Sequence, residues 1–104
     1  MTSKKPPRSR TARRVAERDA RKLVRDRERL AALEPGGAAE RPLEVPSAAV
    51  IEVRVRATPC IQCEGEYAID DHQHAAGLRV VSVTCRQCHV SRRLWFRIAP
   101  SGPN

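Results

Sequence analysis

Four cysteines stand in two pairs, Cys60-Ile-Gln-Cys63 and Cys85-Arg-Gln-Cys88, and they are all the cysteines of the chain. A gap of two residues lets the backbone turn tightly enough to aim both sulfurs at one ion. Two such turns supply a tetrahedral shell of four sulfurs. The 21 residues between the pairs leave room for one hairpin and little else. That separation slightly exceeds the usual span of about 15 to 20, and the extra length fits in the hairpin loop.

Other chemistries compete for the same residues. Cys85-Arg-Gln-Cys88-His89 matches the C-x-x-C-H pattern of c-type haem attachment, but that attachment happens outside the cytoplasm and the chain shows no export signal. Rubredoxin-like iron fits the same four thiolates. Thiol redox chemistry needs one pair rather than two, and catalytic zinc needs a coordination position open to water, which four thiolates close. One structural zinc per chain is the favoured reading. His72 and His74 read as parts of a polar hairpin tip near Gly77, and His89 as a neighbour of the metal shell outside the ligand set.

The elements that must hold these turns follow from patterning. Ile51, Val53, Val55 and Ala57 alternate with Glu52, Arg54 and Arg56, the period of a half-buried strand leading into the first cysteine pair. A second strand is expected at residues 66–70, with Tyr67 and Ile69 on one face. A loop at 71–77 and a third strand at 78–84 follow. In a fourth, Leu94, Phe96 and Ile98 alternate with Arg93, Trp95 and Arg97. The chain has one Trp, one Tyr and one Phe, so any core is small. A domain of about 50 residues is marginal on burial alone, whereas a structural zinc contributes on the order of 10 to 16 kcal/mol in apparent binding free energy.

Strand, cysteine turn, hairpin, cysteine turn and strand together resemble a zinc-ribbon domain over residues 50–99. The resemblance implies that Cys60, Cys63, Cys85 and Cys88 are the zinc ligands. It also implies a small metal-dominated β domain, an antiparallel sheet of three to four strands clamped at one end. Zinc ribbons recur in nucleic-acid machinery, and some bind protein. Ribbon turns often carry glycine directly after the second cysteine, where this chain has Glu64 and His89.

Ahead of that domain the chain changes character. Residues 1–7 read as a disordered basic tail, 8–34 as one long basic α-helix, 35–49 as a Pro/Gly-rich linker and 100–104 as a closing tail. Residues 8–33 lack Gly and Pro and are rich in Ala, Leu, Arg and Glu. Ser9 or Thr11 is placed to cap the start, and Glu34-Pro35-Gly36-Gly37 stops the helix. Its apolar stripe, Ala12, Ala16, Ala20, Leu23 and Leu30 with Arg27 among them, is narrow and mostly alanine.

The net charge is +8, with 17 of the 20 basic residues Arg; residues 1–34 hold 12 Lys/Arg against 5 Asp/Glu, and the remainder 8 against 7. The excess is N-terminal, where guanidinium groups favour phosphate partners. Arg13, Arg14, Arg18, Arg21, Lys22 and Arg25 are the candidate contacts on the helix. Arg93, Trp95 and Arg97 are candidates on the last strand, with Arg54 and Arg56 extending their face.

The expected function is a noncatalytic zinc-ribbon protein that binds RNA or DNA backbone through its basic helix. The alternative is a protein-interaction adaptor whose helix docks or dimerises while the ribbon serves as scaffold. No Ser-His-Asp or Cys-His grouping and no Gly-rich phosphate loop points to an enzyme, and no small-molecule substrate is expected. No apolar run approaches the roughly 18 residues of a membrane span, and neither a signal nor a transit peptide pattern opens the chain. A cytoplasmic location is expected.

Overall fold

The structure, a computed structural model, describes residues 9–99. The expected tails at 1–7 and 100–104 lie outside them. Six elements run in the order α1 (Ser9–Leu33), β1 (Leu43–Val45), α2 (Ala48–Ala57), β2 (Tyr67–Ala75), β3 (Leu78–Cys85) and β4 (Ser91–Ile98). The strands form one mixed sheet in the order β1-β4-β3-β2. β2, β3 and β4 make an antiparallel meander, and β1 joins β4 in parallel, Leu43 facing Phe96 and Val45 facing Ile98. The sheet is therefore not wholly antiparallel. Among the described residues no helix is long and apolar enough to cross a membrane.

Residues 50–57, expected as a strand, are the body of α2. Ile51 and Val55 sit one helical turn apart and are fully buried, whereas Val53, between them in the alternation, is 66% exposed. The alternating pattern thus contained an i,i+4 pair, and burying that pair on the sheet outweighs the weak helix propensity of β-branched residues. Ser47 takes extended backbone at the N-cap, and Thr58 closes the helix with its amide on the Val55 carbonyl at 3.2 Å. Pro59 follows. Arg54 and Arg56 lie in the last turn of α2, so they do not extend a strand face beside Trp95.

The segment expected as linker also carries structure. β1 uses three of its residues, and the Gly36 amide bonds the Arg41 carbonyl at 2.6 Å while the Gly36 carbonyl accepts from the Trp95 amide at 2.8 Å. Gly36 and Leu43–Val45 therefore lie against the free edge of β4, and residues 37–41 loop between them. Thr11, a candidate cap, lies inside α1.

The core is a single sheet face. Val45, Ile51, Val55, Tyr67, Val81, Val83 and Phe96 pack there with Cys60 and Cys85, so two of the cysteines are themselves core. β2 runs further than expected, to Ala75, with a bulge between Ile69 and Asp71. His72 and His74 are exposed strand residues opposite Val81 and Arg79. The hairpin closes through Ala76 and Gly77, with φ of 51° and 79°, the two positive values of a type I′ turn.

Candidate metal centre and the surfaces around it

Each cysteine pair sits where an element ends. Cys60 and Cys63 follow α2, and Cys85 and Cys88 span the end of β3. The two turns have the same wiring. The Cys60 amide bonds the Gly65 carbonyl at 2.8 Å and the Glu64 amide returns to the Cys60 carbonyl at 2.7 Å. In the second turn the Cys85 amide bonds Val90 at 2.9 Å and the His89 amide returns to Cys85 at 3.0 Å. Glu64 and His89, each directly after the second cysteine, take left-handed backbone. The geometry that glycine usually serves is present here without glycine.

These turns bring the four ligand atoms within 4.8 Å of one another. Cys63 and Cys85 sulfurs are 3.4 Å apart, and those of Cys60 and Cys88 3.7 Å. A tetrahedron with metal–sulfur bonds of about 2.3 Å has edges of about 3.8 Å, so the cluster fits one thiolate-bound ion. It can hold a metal ion.

Backbone amides prepare the sulfurs for that role. Gln62 and Gly65 amides point at Cys60 and Cys63, each at 3.4 Å, and Gln87 and Cys88 amides at Cys85, at 3.3 and 3.4 Å. The Cys88 amide leads in drawing the Cys85 thiol down to about 6. Burial resists ionisation of Cys60, yet the Gln62 and Cys63 amides carry it below the ordinary thiol value. Cys88 moves the other way: the Val90 amide favours its thiolate, but desolvation and hydrogen bonding with the other three sulfurs push it up to about 12. One sulfur that ionises early beside one that ionises late is a site whose accumulating negative charge a divalent cation relieves.

The end of α1 is anchored on the first turn, through residues that sequence reasoning missed. Gln62, between the two cysteines, donates to the Val24 carbonyl at 3.0 Å and to Glu28 at 2.7 Å, and its own carbonyl accepts from Arg27 at 3.0 Å. Glu28 also pairs with Arg92, whose guanidinium lies 5.8 Å from the centre of the Tyr67 ring. Tyr67 is buried, and its hydroxyl has no hydrogen-bond partner among the described residues. Beside this anchor a cleft of about 360 Å³ lies between α1 and the sheet, bordered by Ala31, Ala32, Ile61, Tyr67, Leu94 and Trp95.

The basic candidates fall into two groups. Arg14, Arg18, Arg21, Lys22 and Arg25, joined by Arg29, recur at three- and four-residue steps along α1. At 3.6 residues per turn they occupy an arc of about 100°. Arg13 lies off that arc. All six are exposed, and among the described residues none is in an ion pair. On β4, Arg93, Trp95 and Arg97 share the face opposite Leu94, Phe96 and Ile98. Arg93 is exposed, Arg97 is paired with Glu44, and Trp95 is half-buried. No family model matches the chain, and no curated protein or solved structure matches it.

Proposed function

We propose that this chain is a noncatalytic, zinc-ribbon-type protein that binds the phosphate backbone of nucleic acid through α1. The observation that carries the metal half is the convergence of Cys60, Cys63, Cys85 and Cys88 within 4.8 Å. Sulfur donors in this number suit zinc or iron rather than magnesium or calcium, and of these zinc serves structure without redox chemistry. Four thiolates fill a tetrahedral shell and leave no position for a reacting water. Zinc would supply the cross-link between the α2–β2 and β3–β4 connections, in a molecule whose core is one sheet face.

The nucleic-acid half rests on the six-residue stripe of α1. Arg14 to Arg29 spans about 22 Å of helix, with a cation roughly every turn and no acidic partner taking up any of the six among the described residues. Such an array contacts phosphates and carries no base information. Arg93 is positioned to add a contact from the sheet.

Two measurements test the reading. Purified protein should contain one zinc per chain, and chelation should abolish its strand signal; an iron or haem absorption spectrum overturns the metal assignment. Binding to random-sequence RNA and DNA should weaken steeply with salt. Six phosphate contacts give a log–log slope of about −4 on single strands and about −5 on duplex, and changing Arg18 and Arg25 to Gln should lower it by about 2. Absence of binding at low salt overturns the nucleic-acid role.

A further inference from the structure

The four sulfurs are not equally sheltered. Cys60 and Cys85 are buried, Cys63 is half-buried and Cys88 is exposed, in a turn whose residues 86–89 all face solvent. A small oxidant arriving from water therefore meets Cys88 first. Held as a metal ligand, that sulfur is already a thiolate, the form that reacts with peroxides.

The sulfur contacts then say where such a reaction leads. Both sulfur–sulfur hydrogen-bond contacts among the described residues run between the turns, Cys60 to Cys88 at 3.7 Å and Cys63 to Cys85 at 3.4 Å. Each has to shorten to about 2 Å to become a disulfide. Chain topology makes the crossed pairs a mark of the fold. They join residues 28 and 22 positions apart, whereas a bond within either turn joins residues three apart. An unfolded chain closes the short loops more readily, and long loops are those whose closure stabilises a fold most. The crossed pairs also tie the α2–β2 connection to the β3–β4 connection, the two segments that an ion at this site joins.

We propose that Cys88 is a peroxide-modification site and that its oxidation links the two turns crosswise, Cys88 to Cys60 and Cys85 to Cys63. The Cys88 thiolate attacks one peroxide oxygen, the O–O bond breaks, and a sulfenic acid and hydroxide result. The Cys60 sulfur then attacks the Cys88 sulfur; the S–S bond forms, the S–O bond breaks, and the hydroxyl leaves as water. A second peroxide takes Cys63 and Cys85 through the same steps. Each disulfide consumes two thiolates, one peroxide and two protons and yields two waters, the sulfurs losing the two electrons that the peroxide oxygens gain. The product keeps its sheet without an ion. This chemistry rests on the metal half of the function above, whose failure shows separately, as a purified reduced protein that lacks the ion.

The test treats the metal-loaded full chain with hydrogen peroxide, alkylates the remaining thiols and digests with trypsin, which places Cys60 and Cys63 in peptide 57–79, Cys85 in 80–86 and Cys88 in 87–92. Limited peroxide should link 57–79 to 87–92, with Cys60 as the bonded residue on fragmentation. Excess should add 80–86 through Cys63, with two hydrogens lost per bond. The reduced chain, denatured and then oxidised, should give the other map: 57–79 bonded internally and 80–86 bonded to 87–92. A chelator should leave the strand signal of the folded, oxidised protein in place while it abolishes that of the reduced protein. Within-turn bonds from the folded chain, crossed bonds from the denatured chain as well, or loss of the oxidised protein's strand signal on chelation overturns the proposal.

Discussion

Glu64 and His89 are equivalent residues: each stands one place past the second cysteine of its turn, and each holds a left-handed backbone, with φ of 65° and 63°. In both, the amide at this position returns to the carbonyl of the first cysteine, which fixes the turn around the sulfurs. A side chain in this region meets its own backbone, at a cost of about 1 to 2 kcal/mol per residue. Both turns therefore carry this strain at the residue whose amide closes them on the first cysteine.

Replacing either residue with glycine should therefore stabilise the metal-loaded fold. Glycine gives back some of the gain through its looser unfolded chain, so Glu64→Gly and His89→Gly should each add about 0.5 to 1 kcal/mol. Additive increases in melting temperature in the double variant would show that the two turns relax independently. A decrease would mean that the side chains contribute something the backbone strain conceals.

Gly65 should behave in the opposite way. A Cβ there would lie 2.9 Å from the Gln87 Cβ and 3.0 Å from the Cys85 sulfur, because the first turn passes directly against the second. Gly65→Ala must push the two turns apart, and with them the sulfurs. Metal affinity should fall about 10-fold or more, read by competition with a chromophoric chelator, while α1 keeps its helix signal.

These turns were legible in the sequence because ligand spacing is local: two residues separate the sulfurs within each pair, and the surrounding turn follows from that. The meander of β2, β3 and β4 was legible for a similar reason, since its period-2 alternation at Val81, Val83, Leu94 and Phe96 matches what is buried or packed on the core. α2 was misread because Ile51 and Val55 satisfy both periods; the boundary signals, Pro46-Ser47 and Thr58-Pro59, were the arbiters. β1 escaped because three residues between Pro42 and Pro46 acquire meaning only through pairing with β4. The anchor of α1 joins Glu28 to Gln62 and Arg92, 34 and 64 residues away, and no local pattern announces contacts of that range.

Tyr67 provides a pH signature. Burial is the main cause that pushes its hydroxyl up to about 12; the nearby Arg92 charge opposes this and the Cys60 sulfur adds to it. In the unfolded chain a tyrosine ionises near 10. A group whose ionisation is suppressed in the native state contributes stability that is complete below the unfolded value and is lost as pH rises through the folded one. The protein should accordingly lose stability between about pH 10 and pH 12, and Tyr67→Phe should flatten that loss. Because the hydroxyl has no partner among the described residues, the Phe variant should be at least as stable at neutral pH. Melting temperatures that fall in parallel for both proteins above pH 10 would assign the alkaline transition to another group.

Glu28 joins α1 to both the first cysteine turn and β4. Its carboxylate receives both Gln62 and Arg92, and the Arg92 side chain is only 10% exposed. Removing the acid leaves a largely buried guanidinium without its partner, whereas removing both sides leaves no stranded charge. Glu28→Ala should thus cost about 1 to 3 kcal/mol and loosen the helix around the already exposed Arg25, Arg27 and Arg29, so that trypsin cuts there faster while the metal content is unchanged. Glu28→Ala combined with Arg92→Met should cost less than the sum of the single changes, because the two residues interact. Since Gln62 lies between Cys60 and Cys63, the same release should leave metal content unchanged but quicken metal exchange at the first turn. Trypsin sensitivity of α1 that Glu28→Ala leaves unaltered would show that the helix is held by contacts other than this carboxylate.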